Sequence, residues 1–306
     1  IRLYPTEDQK ILLNKTFGCC RLLYNERLSE HIEWYNQNKD LPKDQRSKSK
    51  GKLPKQLREE KYGFLNEAIA EPLIQSQRNC EQAFNNFFKS LTKQRKGKKV
   101  GFPKFKSKKQ HRDSFSIYML PKNCLDWEHR LVTIPKLKQV RFRHAEDKSD
   151  KWIGRFKEAI LKHMTISRNA CGEYWCSVLF EREQGIYSTI CPSKAIGLDF
   201  SPNSLYINDL NEEAPNFKKA KQENIKKLTK LQRNLMRKQK DSKNREKARV
   251  KLAKFENHIA NIRRDYREKE TLRLVQNYDV IGIEDLNLQG MMKFSHNAKN
   301  YIDTSW

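Results

Sequence analysis

Ala195-Ile196-Gly197-Leu198-Asp199-Phe200 reads as a buried strand that delivers an acid at its end. Asp279-Val280-Ile281-Gly282-Ile283-Glu284-Asp285-Leu286 repeats the pattern, with Glu284 standing 85 positions beyond Asp199. If the two strands are neighbours, their carboxylates meet, and ligand sites of α/β sheets gather at such strand ends. Two close carboxylates repel unless a cation lies between them. Hard oxygen donors of this kind select Mg²⁺ or Mn²⁺. Glu284 and Asp285 are adjacent and face opposite ways on a strand, so at most one of them faces the ion. The alternative for each acid is to cap the helix that follows it.

The stretch between these acids predicts a short strand at 205–208 and then two amphipathic helices. Ile225, Leu228, Leu231 and Leu235 recur at three, three and four. Phe255, Ile259, Ile262 and Tyr266 recur at four, three and four. Joined by a charged turn, they predict an antiparallel helical hairpin. Upstream, from 114 to 183, the apolar period is two. Strands are expected at 115–118, 131–134, 140–142, 161–167 and 174–180, with a hairpin turn at 169–172. They make a β domain, an open barrel that the strand at 1–4 joins. Thr6 is a plausible N-cap, with Glu7 and Asp8 in the first turn of a helix reaching about residue 34. A second helix is expected at about 72–91, and residues 38–55 read as a loop.

The chain has 306 residues, with 63 Lys+Arg against 37 Asp+Glu, a net charge of +26. Its 15 Phe, 11 Tyr and 5 Trp are too many for a disordered basic tail. No apolar stretch approaches the roughly 18 residues of a membrane span, and no signal region opens the chain. The expectation is a folded, cytoplasmic protein of the prokaryotic nucleoid type, with a polyanion as partner and no membrane. The charge is concentrated. Residues 89–112 hold eleven Lys/Arg and no acid, with Phe102 and Phe105 between them. Cations grip phosphates while rings stack on bases, so this run reads as a nucleic-acid contact. Residues 218–251 hold fifteen Lys/Arg and three acids.

The seven cysteines, Cys19, Cys20, Cys80, Cys124, Cys171, Cys176 and Cys191, form no Cys-x-x-Cys pair. They encode neither a disulfide framework nor a zinc site, and read as core thiols.

These segments together resemble the TnpB proteins, transposon-encoded RNA-guided DNA endonucleases related to the type V CRISPR effectors. Gly197-Leu198-Asp199-Phe200-Ser201 and Ile283-Glu284-Asp285-Leu286-Asn287 look like the first and second acidic motifs of their RuvC-like nuclease domain. Phe17-Gly18-Cys19-Cys20-Arg21 with Tyr24-Asn25 is similar to their first helix. Ala83-Phe84, Phe87-Phe88-Lys89 and the run from Gly101-Phe102-Pro103 to Lys109 resemble their central signatures. Ser242-Lys243-Asn244-Arg245 and Gly290-Met291-Met292 match the nuclease region. The resemblance spans the whole chain.

It implies an α+β multidomain fold. A wedge-like β barrel (1–4 and 113–188) would carry an inserted helical recognition lobe (5–112). An RNase H-like, or RuvC, α/β domain with a helical-hairpin insertion (189–306) would follow, incomplete at its C-terminus. It implies a guide RNA and a double-stranded target DNA as partners, base pairing supplying the sequence specificity. It also implies Mg²⁺-dependent cleavage with Asp199 and Glu284 as catalytic and metal-binding residues. Gln75, Gln77, Arg78 and Asn79 are candidates for groove contact. Lys98, Lys99, Lys104, Phe105, Lys106, Lys108, Lys109, Arg233, Arg237, Lys243 and Arg245 are candidates for the nucleic-acid backbone.

The family's centre has a third carboxylate beside a zinc ribbon, and neither stands before Trp306; Asp303 lies in a segment resembling the one upstream of that motif. Ile1 in place of Met, and a helical segment ending at Trp306, suggest residues beyond both ends. Three readings follow. If Trp306 is the end, cleavage is expected to be deficient and the protein a guided transcriptional repressor. With a further C-terminal segment it is an active endonuclease. A structural RNA-binding protein is the reading from another class, and it requires no meeting of Asp199 with Glu284.

Overall fold

Thr6 starts the first helix. Its Oγ1 accepts from Gln9 N at 3.4 Å while Gln9 Oε1 accepts from Thr6 N at 3.0 Å, closing a capping box. Glu7 and Asp8 place negative charge on the first turn, where the helix dipole favours it. Helix α1 then runs unbroken over Glu7–Asn38. It exceeds the reading to residue 34 because Asn36, Gln37 and Asn38 carry no apolar repeat. The computed structural model describes residues 1–42, 45, 51–110, 113–121, 123–143, 159–182, 193–294 and 304. Among these the chain divides into two units, Ile1–Gln184 and Gly185–Trp306.

In the first unit, β1 (Arg2–Tyr4) and α1 are followed by α2 (Pro54–Glu60) and α3 (Ala70–Leu91). Then come β2 (Asp113–Ile117), β3 (Leu125–Asp126), β4 (Leu131–Ile134), β5 (Lys138–Arg143), β6 (Ile160–Arg168) and β7 (Tyr174–Glu181). They form one seven-stranded sheet ordered β2-β6-β7-β1-β5-β4-β3, antiparallel at every pairing. β1 joins it between β5 and β7. Among the described residues the two edge strands, β2 and β3, do not pair with each other. The alternation of β5 shows how the pattern works: Val140 and Phe142 point in and Arg141 and Arg143 point out. The turn between β6 and β7 closes where the sequence reading has it, with Gly172 at φ +81° and Gly172 N donating to Asn169 O at 3.0 Å.

The inner face of the sheet shares one core with the helices. Leu3, Ile117, Val132, Val140, Met164 and Ile166 pack with Leu13, Phe17, Leu23 and Leu73. Each such side chain contributes about 1.5–3 kcal/mol on burial. Two polar ties add direction. Gln9 Nε2 donates to Leu137 O and Gln139 O at 3.1 and 2.8 Å, fixing the start of α1 on the β4–β5 turn. Asp113, buried at the edge strand, accepts from Arg21 of α1 at 2.9 Å and from Arg168 of β6. Farther along the same two helices a second core holds Tyr24, Leu28, Cys80 and Phe84. The six described cysteines are all buried. Burial pushes the Cys20 and Cys176 thiols up to about 12, so they are core residues rather than nucleophiles.

In the second unit β8 (Ala195–Ser201) lies between β9 (Leu205–Asn208), antiparallel, and β10 (Val280–Ile283), parallel. Between β9 and β10 the chain makes α4 (Ala220–Glu223), α5 (Ile225–Met236) and α6 (Lys243–Asn277); α7 (Leu288–Phe294) follows β10. Ile196, Leu198, Tyr206 and Leu274 form the core under the sheet. There the Tyr206 hydroxyl donates to the buried Glu270, and Arg273 Nη2 donates to both, at 2.8 and 2.7 Å. Burial would push the Glu270 carboxyl up, but these donors outweigh it and hold it below the ordinary value. Leu228, with Leu231 against it, packs on Phe255 and Ile259 and makes α5 and α6 the expected hairpin.

Candidate metal centre and nucleic-acid interface

The parallel pair β8–β10 decides where the two acids lie. Its register is Val280 with Ala195, Ile281 with Ile196, Gly282 with Gly197 and Ile283 with Leu198. Extended one residue past the end of β10, that register brings Glu284 level with Asp199, which lies within β8 and pairs with Ile207 of β9. Neighbouring strands stand about 4.8 Å apart, and paired residues of a parallel pair face the same way. Ile196 and Leu198 point into the core. Asp199 is therefore on the opposite face, and both Asp199 and Glu284 are exposed, as is Ile283 before Glu284.

Asp279 pins that register. Its Oδ2 accepts from Ser193 N, Ser193 Oγ and Lys194 N at 3.0, 3.0 and 3.1 Å, and its own N donates to Lys194 O at 2.9 Å. The backbone N–H of Ser193, then its hydroxyl and the N–H of Lys194, hold the Asp279 carboxyl below the usual carboxylate value. Two residues before the acids, on the same face, Gly197 pairs with Gly282. A Cβ at either position would meet nothing nearer than 3.8 Å. At Gly197 the nearest atoms belong to the Asp209 side chain, and at Gly282 to the backbone of β8, both at ordinary contact distance.

The donor set suits a hard divalent cation. Mg²⁺ characteristically uses one or two carboxylates and completes its shell with water and substrate phosphate. Asp209 is close by, but its Oδ2 accepts from Gly197 N at 3.1 Å. Among the described residues no three of His, Cys, Asp and Glu converge on a metal position. Asp303 lies outside the described residues.

The nucleic-acid candidates separate on inspection. Lys98, Lys99, Lys104, Phe105, Lys108 and Lys109 are exposed. On α3, Arg78 and Asn79 are exposed and Gln75 donates to Asn79 at 3.2 Å. Gln77 is a correction: it is buried, and its amide donates to Lys52 O at 2.9 Å, so it faces the fold and not a groove. Lys106 counts as exposed, yet its Nζ lies 4.0 Å from the Tyr24 ring centroid. Desolvation there lowers its pKa. Arg233, Arg237 and Lys243 are exposed. Arg245 instead donates to Leu235 O and Lys238 O at 3.1 and 2.8 Å, satisfying carbonyls at the end of α5.

These contacts explain several segments that the sequence marks. Asn25 Oδ1 accepts from Lys106 N at 2.8 Å and Asn25 Nδ2 donates to Lys106 O at 2.9 Å. Phe102 meets Phe84 and Phe87 edge-on at 5.3 and 5.2 Å. So Tyr24-Asn25, Ala83-Phe84 with Phe87, and Gly101 to Lys106 lock together and present the basic run between them. Ser242 caps α6 through Arg245 N at 3.1 Å, and with Arg245 it builds the hairpin corner. Asn25→Ala removes both hydrogen bonds to Lys106. It is expected to cost about 1–2 kcal/mol and to raise hydrogen exchange at the Lys106 amide. Unchanged protection of that amide would show that the clamp does not hold the run.

Two family models match the chain. One, described as "Probable transposase", covers residues 184–295, which include Asp199 and Glu284. The other, described as "Helix-turn-helix domain", covers residues 1–40. In those residues the fold has β1 and the single continuous helix α1, with no turn between two helices. A "Putative RNA-guided DNA endonuclease" of Streptomyces pristinaespiralis is 31% identical over the whole chain. "Putative RNA-guided DNA endonuclease InsQ" of Escherichia coli (strain K12) is 32% identical over 95% of it. The chain spans 70% and 66% of these two relatives' lengths. Aligned from end to end with the first of them, the chain belongs to the TnpB-like family of transposon-encoded RNA-guided DNA endonucleases.

Proposed function

We propose that this protein binds a guide RNA and, under its direction, a complementary DNA duplex, with Asp199 and Glu284 holding Mg²⁺ at the DNA backbone. The observation that supports this reading is the parallel β8–β10 register, which, extended one residue past Ile283, brings the exposed Glu284 level with the exposed Asp199. The names of the relatives supply the partners: guide RNA and DNA target. The order β8, β9, helices, β10, with β10 parallel to β8, suits an RNase H-like, RuvC-type domain. The first unit's sheet and helices suit the wedge and recognition parts. A prokaryotic cytoplasm is the proposed setting, in line with the bacterial sources of the two relatives.

Chemically, Asp199 and Glu284 supply the negative charge that attracts the ion and the geometry that fixes it. Mg²⁺, when bound, supplies charge stabilisation at the scissile phosphodiester. Asp279 keeps the two carboxylates in step. Two carboxylates hold one ion, and the family's chemistry uses a third donor that the described residues do not provide. For the polypeptide of residues 1–306 the proposal is guided DNA binding with weak cutting.

The test uses that chain as it stands. Purified at low salt, it is expected to carry RNA, read as a raised 260/280 nm ratio. Given guide RNA, target duplex and Mg²⁺, it is expected to retain the duplex and leave nearly all of it uncut. A clean protein spectrum would remove the RNA partner from the reading. Robust cleavage would overturn the need for a further donor.

A further inference from the structure

Helix α5 carries a feature that its own packing does not use. Its apolar side, Leu228 and Leu231, is spent on α6. On another side Lys226, Lys230, Arg233 and Arg237 recur at four, three and four residues. With Ile225, Thr229 and Asn234 they line an open groove of about 700 Å³. From 224 to 240 there are seven Lys/Arg and no acid. Among the described residues, none of the four side chains makes an ion pair or hydrogen bond. Like charges three and four apart on a helix destabilise it. The neighbouring α6 avoids this with pairs such as Glu246–Arg249, Asp265–Lys269 and Glu270–Arg273. An uncompensated row on α5 therefore calls for negative charge from outside the chain.

The groove's lining tells which kind. It contains no aromatic ring. Sites for unpaired strands combine cations with rings on which bases stack. The basic run of the first unit has such rings, Phe102 and Phe105. Apart from Ile225 at its end, the α5 groove offers charge and small polar groups, which reads a backbone whose bases are already engaged. Four cations over eleven residues span about 16 Å, one per turn of roughly 5.4 Å. At about 3.4 Å per nucleotide along one strand of a duplex, that covers four to five phosphates.

We propose that the face of α5 formed by Lys226, Lys230, Arg233 and Arg237 is a docking surface for the phosphate backbone of one strand of a double-helical nucleic acid. The proposal rests on the nucleic-acid reading above and adds to it the surface, the chemistry and the paired state of the ligand.

The test compares the chain with its Lys226→Gln, Lys230→Gln, Arg233→Gln, Arg237→Gln variant. Glutamine keeps good helix propensity, so the melting temperature is expected to hold or rise as the repulsion goes. Binding of a DNA duplex, an RNA–DNA hybrid and the two corresponding single strands, all of one mixed sequence, is measured against salt. For the paired probes the slope of log K against log salt is expected to shrink by about 3.6, and affinity at 0.1 M salt to fall by at least about tenfold. For the single strands the slope is expected to change by less than about one. Lys230→Glu alone is expected to reduce the paired-probe slope by about one or more. Unchanged paired-probe slopes, with wild-type binding intact, would overturn the α5 surface and leave the wider reading standing. A loss confined to single strands would overturn the paired state. Wild-type protein that binds none of the four probes would overturn both.

Discussion

The double variant Asp199→Asn, Glu284→Gln is expected to lose its divalent ion. Removing groups that merely orient metal ligands costs 10- to 100-fold in affinity, so removing both carboxylates should weaken Mn²⁺ binding by more than about 100-fold. Electron paramagnetic resonance of added Mn²⁺ reads this directly, independent of any cleavage assay. Guide-dependent cutting, wherever the wild-type protein shows it, is expected to fall by on the order of a thousandfold, since several kcal/mol of charge stabilisation depart with the ion. Binding of nucleic acid should persist, because neither acid contributes positive charge. Both acids are exposed, and neither takes part in a buried network. A variant that binds Mn²⁺ as the wild type does would sink the assignment of the ion to these strands.

Asp113→Ala is expected to have the largest effect on stability. The carboxylate is buried and receives Arg21 from α1 and Arg168 from β6, so its loss leaves two partly buried guanidinium groups without their partner. Breaking a buried pair in this way costs about 3–5 kcal/mol. For a unit of this size that lowers the melting temperature by on the order of 10 °C. Arg168 keeps one contact, its donation to Asn14 Oδ1 at 2.7 Å, which softens the loss at that end. Thermal unfolding of Asp113→Ala and of Asp113→Ala, Arg21→Ala measures it. A melting temperature within two degrees of wild type would show that the cluster is not an anchor.

Local periodicity made most of the architecture readable. Period-two alternation gave β4 to the residue, the short strand at 205–208 matched β9, and Thr6 as N-cap before Glu7 and Asp8 gave the start of α1. The two acids were legible because an apolar run that stops on a carboxylate is uncommon without cause, although β8 runs two residues beyond Asp199 and Glu284 stands one residue past β10. The register of their strands was not, since Asp279 reaches back to Ser193 and Lys194, 86 and 85 positions away. The same holds for Lys106 and Arg245. Each looked like a free cation, because nothing local announces Asn25, the Tyr24 ring or the last carbonyls of α5. Gln77 was within reach of the sequence. Leu73, Gln77, Cys80 and Phe84 recur at four, three and four, which puts the glutamine on the apolar face of α3.

The two cores of the first unit are strung along the same pair of helices. Leu23 of α1 and Leu73 of α3 pack with the sheet, while Tyr24 and Leu28, and Cys80 and Phe84, pack beyond it. At 32 residues α1 is about 48 Å long. Together α1 and α3 act as a girder that carries the basic run at a fixed distance from the sheet. Through Asn25 and Phe102 the run is bolted to that girder before any ligand arrives. An incoming strand then need not freeze that backbone, and this saved entropy appears as tighter association at the same charge.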